Sequence, residues 1–189
     1  MAESIRAFVA IELDDRVRRR LEEAVSPLRR TGAHVSWVPP DNLHLSLAFL
    51  GDIFQDTVQL ASSALDEAAR GSAPFVFNVS GLGTFGSRRS PRVIWAGVQE
   101  SRDLAALYGR MADLLRALDL VIDSRPFRPH ITLGRVRSGR GRPALLDALA
   151  EAGSPGFGEV SVTRVVLMRS TLTPRRAVYS MLHSATLHG

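Results

Sequence analysis

Two of the five histidines in this chain open near-identical segments, His44-Leu45-Ser46-Leu47 and His130-Ile131-Thr132-Leu133. In an extended strand alternate side chains share a face, so His44 and Ser46 point one way while Leu45 and Leu47 enter a core. The second segment is arranged in the same manner. If the halves of the chain pack about a pseudo-twofold axis, two imidazoles and two hydroxyls meet in one cleft. Such a set can hydrolyse a phosphodiester without a metal. One neutral His takes a proton from the nucleophile, a protonated His gives one to the leaving oxygen, and the hydroxyls of Ser46 and Thr132 hold the phosphoryl oxygens. His-x-Ser alone carries little weight, since His34-Val35-Ser36 is a third instance, but the next position there is Trp37 rather than Leu.

The elements that must carry these segments are legible from periodicity and punctuation. Residues 5 to 13 read as a buried strand, followed by a helix from Asp14, as N-cap, to Arg30, closed by Gly32. Strands fit Val35 to Val38 and His44 to Leu50. Apolar residues at Val58, Leu60, Ala61, Ala64, Leu65 and Ala68 form a helical stripe and predict a helix over Asp56 to Arg70. The second half repeats the plan. Phe75 to Val79 and Arg92 to Val98 are expected as strands joined by a long loop from Gly81 to Pro91. Leu104 to Leu120 and Arg142 to Ala152 are expected as helices, and Gly158 to Arg169 and Ala177 to Leu187 as closing strands around a turn at Thr173 to Arg176. Prolines before each histidine segment, at Pro39-Pro40 and Pro126 and Pro129, favour an extended approach. This mixture predicts an α+β fold with antiparallel-rich sheets rather than a doubly wound parallel sheet.

Composition narrows the chemistry. The chain has 189 residues, is 45% hydrophobic and has no cysteine, which excludes disulfides, thiolate nucleophiles and Cys-based metal sites. Every one of its 24 basic residues is Arg, so no lysine can act as a Schiff base, an adenylylated nucleophile or a P-loop phosphate ligand. The net charge is +5, with six arginines between Arg125 and Arg142 and three more at Arg88, Arg89 and Arg92; any one of these is as readily a solvated loop residue, but clustered near the second histidine segment several are expected to attract phosphate and hold an RNA end. No run of eighteen apolar residues and no basic stretch followed by an apolar segment is seen, which predicts a cytoplasmic protein without membrane span or signal peptide. Trp37, Trp95 and Phe127 are assigned to the core, and Asp41 and Asp52 to loops or caps.

With these surroundings the chain resembles the 2H phosphoesterase superfamily, and within it the LigT-like RNA 2′,3′-cyclic phosphodiesterases, also described as 2′-5′ RNA ligases. The resemblance rests on Arg6 to Ile11, Trp37 to Asp52, Gly81 to Phe85, Pro91 to Val98, Phe127 to Arg135, Leu167 to Ser170 and Tyr179, with Ser46 standing where Thr is frequent. It implies one bilobal domain over residues 1–189, its lobes pseudo-symmetric about a half boundary near residue 90, with terminal segments crossing between them and the active cleft between the lobes. It further implies hydrolysis of RNA 2′,3′-cyclic phosphate ends to 2′-phosphates, with His44 as proton donor and His130 as proton acceptor, and weak reverse 2′-5′ ligation. Phe49 and Arg135, at equal offsets after their histidines, correspond to a base-stacking pair; strand alternation alone puts them on the face opposite the histidines, so that role requires a bend, and the alternatives are a core position for Phe49 and a phosphate contact for Arg135. No cofactor or metal is expected. The expected partners are RNA ends or cyclic nucleotides, with the chain a monomer. Two other readings are a non-catalytic RNA-end or nucleotide-binding module, and a His-based metallohydrolase, which neither segment supplies with paired i, i+4 histidines or adjacent carboxylates.

Overall fold

Strand β1 (Ile5–Glu12) is buried at almost every position, as a central strand covered on both sides must be. In the computed structural model, residues 4–87, 89–120, 126–174 and 176–188 are described, so Arg88, Arg125 and Arg175 lie outside the described residues. The remaining elements are α1 (Asp15–Arg30), β2 (Val35–Trp37), a 3-10 turn (Pro40–Asn42), β3 (His44–Ile53), α2 (Gln55–Arg70), β4 (Phe75–Ser87), β5 (Ser90–Val98), α3 (Arg102–Ala117), β6 (His130–Val136), α4 (Arg142–Ala152), β7 (Gly156–Val162), β8 (Arg164–Leu172) and β9 (Ala177–Thr186). Asp14 caps α1, its carboxylate accepting from the Val17 N–H at 2.8 Å.

All strand pairs are antiparallel, in the order β7-β4-β5-β6-β3-β1-β8-β9, with β2 added beside β6. Read outward from the β6/β3 seam, β6-β5-β4-β7 on one side answers β3-β1-β8-β9 on the other. The chain crosses the seam repeatedly. After α2 it joins the far half as β4, and after β7 it returns as β8 beside β1. The helices cover one face, where Leu45, Leu47, Ile131 and Leu133 join the large core with Leu21, Leu65, Leu107 and Leu115. The opposite face carries a small cluster of Phe8, Ala10 and Val166, with Met168 and Tyr179 against it.

Three expectations differ from the structure. Gly81 to Ser87 is strand, not loop: β4 and β5 form a long hairpin paired from Val79↔Val98 to Ser87↔Ser90. The central glycine of this stretch, Gly83, has a packing reason. Gly83 lies opposite Trp95, and a Cβ at Gly83 would sit 2.3 Å from the indole, so only glycine lets that ring lie across the strand. Gly158 to Arg169 is not one strand but parts of β7 and β8, which lie in different halves of the sheet. Asp52, expected in a loop or cap, is within β3, opposite Arg6.

Candidate active site

The seam places the two histidine segments side by side. β3 and β6 share one registered pair, Leu45↔Ile131, both fully buried. In antiparallel register this sets His44 across from Thr132 and Ser46 across from His130, all four on the face opposite the helices. Leu45 and Ile131 thus anchor the seam from below while the polar groups stand above it.

Each imidazole is fixed in the same way. His44 Nδ1 is 2.8 Å from the Asn42 carbonyl and His130 Nδ1 is 2.7 Å from the Arg128 carbonyl, in both cases the residue two positions earlier. A carbonyl only accepts, so Nδ1 carries the proton and Nε2 is left as the working atom of the neutral ring. His44 Nε2 lies 2.9 Å from Ser46 Oγ, which in this tautomer donates to it. The Asn42 side chain also donates to the Ala177 carbonyl at 2.8 Å, tying the turn before β3 to the start of β9.

The ring environments differ. His44 is packed by Phe8 at 4.9 Å and edge-on by Tyr179 at 5.4 Å. Burial pushes its pKa below the usual histidine value, against the upward pull of the Asn42 carbonyl, so the free site holds His44 neutral near pH 7. His130 meets the ring of Phe85 edge-on at 4.7 Å, and Phe85 rests on Trp95 at 5.4 Å. Trp95 pairs with Thr132 and so shares the histidine face, contrary to its assignment to the core. Trp37 and Phe127 do pack against the core.

Phe49 and Arg135 come to the histidine face because both strands bulge. The β1/β3 register skips a residue between Ala48 and Ser46, leaving Leu47 and Ala48 both buried and turning Phe49 outward, 58% exposed. The β5/β6 register likewise skips between Gly134 and Thr132, leaving Leu133 and Gly134 both buried and Arg135 exposed. A bulge adds one residue to the alternation, which is the bend this pair requires. Both side chains line a cavity of about 670 Å³ whose wall also includes Arg6, Phe8, Arg137, Arg176 and Tyr179. The histidines do not line it. It adjoins His44 through Phe8 and Tyr179, the rings packed on that imidazole. Burial raises the Tyr179 pKa, and the charges of Arg135 and Arg6 pull it back down. Of the arginines grouped in the sequence that are among the described residues, Arg135 and Arg137 reach this cavity, whereas Arg142 donates to the Arg89 carbonyl at 2.9 Å. Phe8, Phe85, Asn42, Arg6 and Arg176 were given no role by sequence; the signal for Arg6 and Phe8 was their alternation along β1.

Among the described residues no three His, Asp or Glu side chains are grouped so as to hold a metal ion, and no helix is long and apolar enough to cross a membrane.

The LigT-like phosphoesterase family model matches this chain twice, over residues 11–95 and 97–179, and each match holds its histidine segment at the same distance from its start. The RNA 2′,3′-cyclic phosphodiesterase of Methanothermobacter thermautotrophicus is 32% identical over 182 residues, 93% of this chain and 95% of that protein. The enzyme of the same name from Thermotoga maritima is 32% identical over 98% of this chain and 97% of its own length. The crystal structure of E. coli LigT complexed with 3′-AMP superposes with a TM-score of 0.79 at 28% identity, covering 99% of this chain and all of that one. Two tandem matches, each carrying one histidine segment to a common seam, show that the chain belongs to the LigT-like phosphoesterase family.

Proposed function

We propose that this protein hydrolyses 2′,3′-cyclic phosphate ends of RNA to 2′-phosphates without a metal ion, using His44 and His130 as the proton-transfer pair. The observation that supports this most is the matched anchoring of the rings. Both Nδ1 atoms are engaged by backbone carbonyls just ahead of the neighbouring strands β3 and β6, which turns both Nε2 atoms toward one substrate phosphate, with Ser46 swinging from His44 Nε2 to that phosphate when it binds. His130 accepts a proton from water as the water oxygen bonds to phosphorus. The bond from phosphorus to O3′ breaks, and His44 gives O3′ its proton. The product carries a 2′-phosphate and a 3′-hydroxyl. Ser46 and Thr132 donate hydrogen bonds to the nonbridging oxygens as charge accumulates on them.

His44 is neutral in the free site, so its role as donor depends on the substrate. An anionic phosphate beside the ring favours the imidazolium and raises the pKa that burial lowered. Phe49 and Arg135 hold the terminal base, an aromatic face and a guanidinium plane both suited to an unpaired nucleobase. If a 5′-hydroxyl replaces water, the same displacement forms a 2′-5′ phosphodiester, the weak reverse of cleaving that linkage. Both segments come from one chain, so a monomer carries the complete site, as one bilobal unit over residues 1–189 acting in the cytoplasm.

The test is product analysis. Oligonucleotides ending in a 2′,3′-cyclic phosphate are expected to yield 2′-phosphate ends in the presence of a chelator. Formation of 3′-phosphate, or activity lost to chelator and restored by zinc, would contradict the assignment.

A further inference from the structure

The cavity beside His44 is larger than one base needs, and its chemistry is one-sided. Arg6, Arg135, Arg137 and Arg176 line it together with Ser36, Ser170 and Thr173, and among the described residues no carboxylate does. Among the described residues none of these four arginines has a carboxylate within 4 Å; Asp52, the cross-strand neighbour of Arg6, does not come that close. Four cations facing one space repel one another, and an anion entering that space relieves the repulsion. One of them is already positioned, because Arg137 Nε donates to Ser36 Oγ at 2.8 Å, leaving its terminal nitrogens to bind. Beside the charges stands an apolar surface on the β8–β9 hairpin, where Leu172 is 68% exposed.

We infer that the Arg137 and Arg176 side of this cavity holds the phosphodiester and nucleoside immediately 5′ of the reacting RNA end, so that oligonucleotides are preferred over cyclic mononucleotides. The inference rests on the proposed function, since the reacting phosphate must lie at the histidines and the terminal base between Phe49 and Arg135. The volume of about 670 Å³ falls in the range of sites that enclose a ligand of nucleotide size. A terminal nucleoside against Phe49 and Arg135 leaves room beyond it. The next phosphodiester meets Arg137 and Arg176, and its base lies on Leu172. Each phosphate neutralised by arginine on a single strand adds about 0.7 to the slope of log affinity against log salt.

The experiment compares kcat/KM for a 2′,3′-cyclic mononucleotide with that for a trinucleotide bearing the same 3′ end. The trinucleotide is expected to be favoured by tenfold or more at low salt. Arg137→Ala and Arg176→Ala should reduce its kcat/KM at least tenfold more than that of the mononucleotide, and flatten its salt dependence. Equal efficiency on the two substrates, or variants that weaken both alike, would overturn the inference. Should neither substrate turn over, the proposed function fails instead. Calorimetric binding of a 2′-phosphorylated trinucleotide and of the corresponding mononucleotide then decides: tighter trinucleotide binding that Arg176→Ala removes upholds the subsite, and equal binding refutes it.

Discussion

Substituting Gly83 by Ala perturbs His130 without touching it. The Cβ would stand 2.3, 2.4 and 2.8 Å from three atoms of the Trp95 indole, whereas ordinary contact begins at 3.4 Å. The ring must therefore retreat by about 1 Å, the difference between 3.4 and 2.3 Å. Gly83 is not in the left-handed region, so alanine adds no backbone strain and the whole effect is steric. Overpacking of this kind costs about 1–3 kcal/mol, and a protein of this size loses about 2–4 °C in Tm per kcal/mol. Trp95 supports Phe85 at 5.4 Å, and Phe85 meets the His130 ring at 4.7 Å, so the displacement is passed to the imidazole. A catalytic group misplaced by about 1 Å costs on the order of a hundredfold in rate. Gly83→Ala is expected to stay folded, melt a few degrees lower and lose most of its kcat in a cyclic-nucleotide assay, with KM little changed. Adding Trp95→Phe removes the clashing atoms and should restore much of the rate, a non-additivity that an unrelated structural defect would not show. Wild-type kcat in Gly83→Ala would refute the idea that this stack positions His130.

Other consequences follow from the same geometry. His44→Ala and His130→Ala should each lower kcat/KM by about 10²–10⁴-fold with Tm within a few degrees of wild type, because Leu45 and Ile131 still anchor the seam; full activity in either variant would contradict the mechanism. His44 has a folded-state pKa below its unfolded value of 6.5, so the unfolded chain binds the extra proton first. The contribution of His44 to stability is accordingly complete above pH 6.5 and lost as pH falls through the lower folded value, and His44→Gln should flatten the acid side of a Tm–pH curve. Asn42→Ala removes the donor to the Ala177 carbonyl, a loss of about 0.5–1.5 kcal/mol, and should loosen the β9 segment that brings Tyr179 to His44. Faster amide exchange at Ala177–Tyr179 together with a lower kcat is expected, and unchanged exchange would show that the link is not needed.

Features encoded within a few residues were readable from the sequence. The Asp14 cap, the stripe of α2 and the alternation around His44 and His130 each depend on neighbours along the chain, and they stand where periodicity put them, except that Leu60 of the stripe is exposed. What could not be read depends on contacts between distant segments. The glycines of β4 look like loop residues until Trp95 is laid across Gly83. Nothing near Thr163 marks the passage from β7 in one half of the sheet to β8 in the other. The bulges at Leu47 and Leu133 are set by pairing with β1 and β5, so the return of Phe49 and Arg135 to the histidine face could be required but not located. Arg6 and Arg176 enter the cavity from opposite ends of the chain, and their separation in sequence hid the group they form with Arg135 and Arg137.

The most direct trial of the central claim is a crystal structure with a 2′-phosphorylated nucleotide bound. One phosphate is expected with oxygens within about 3.2 Å of Nε2 of both His44 and His130, and with Ser46 and Thr132 hydroxyls on its other oxygens. A phosphate held by the arginines alone, with either imidazole uninvolved, would contradict it.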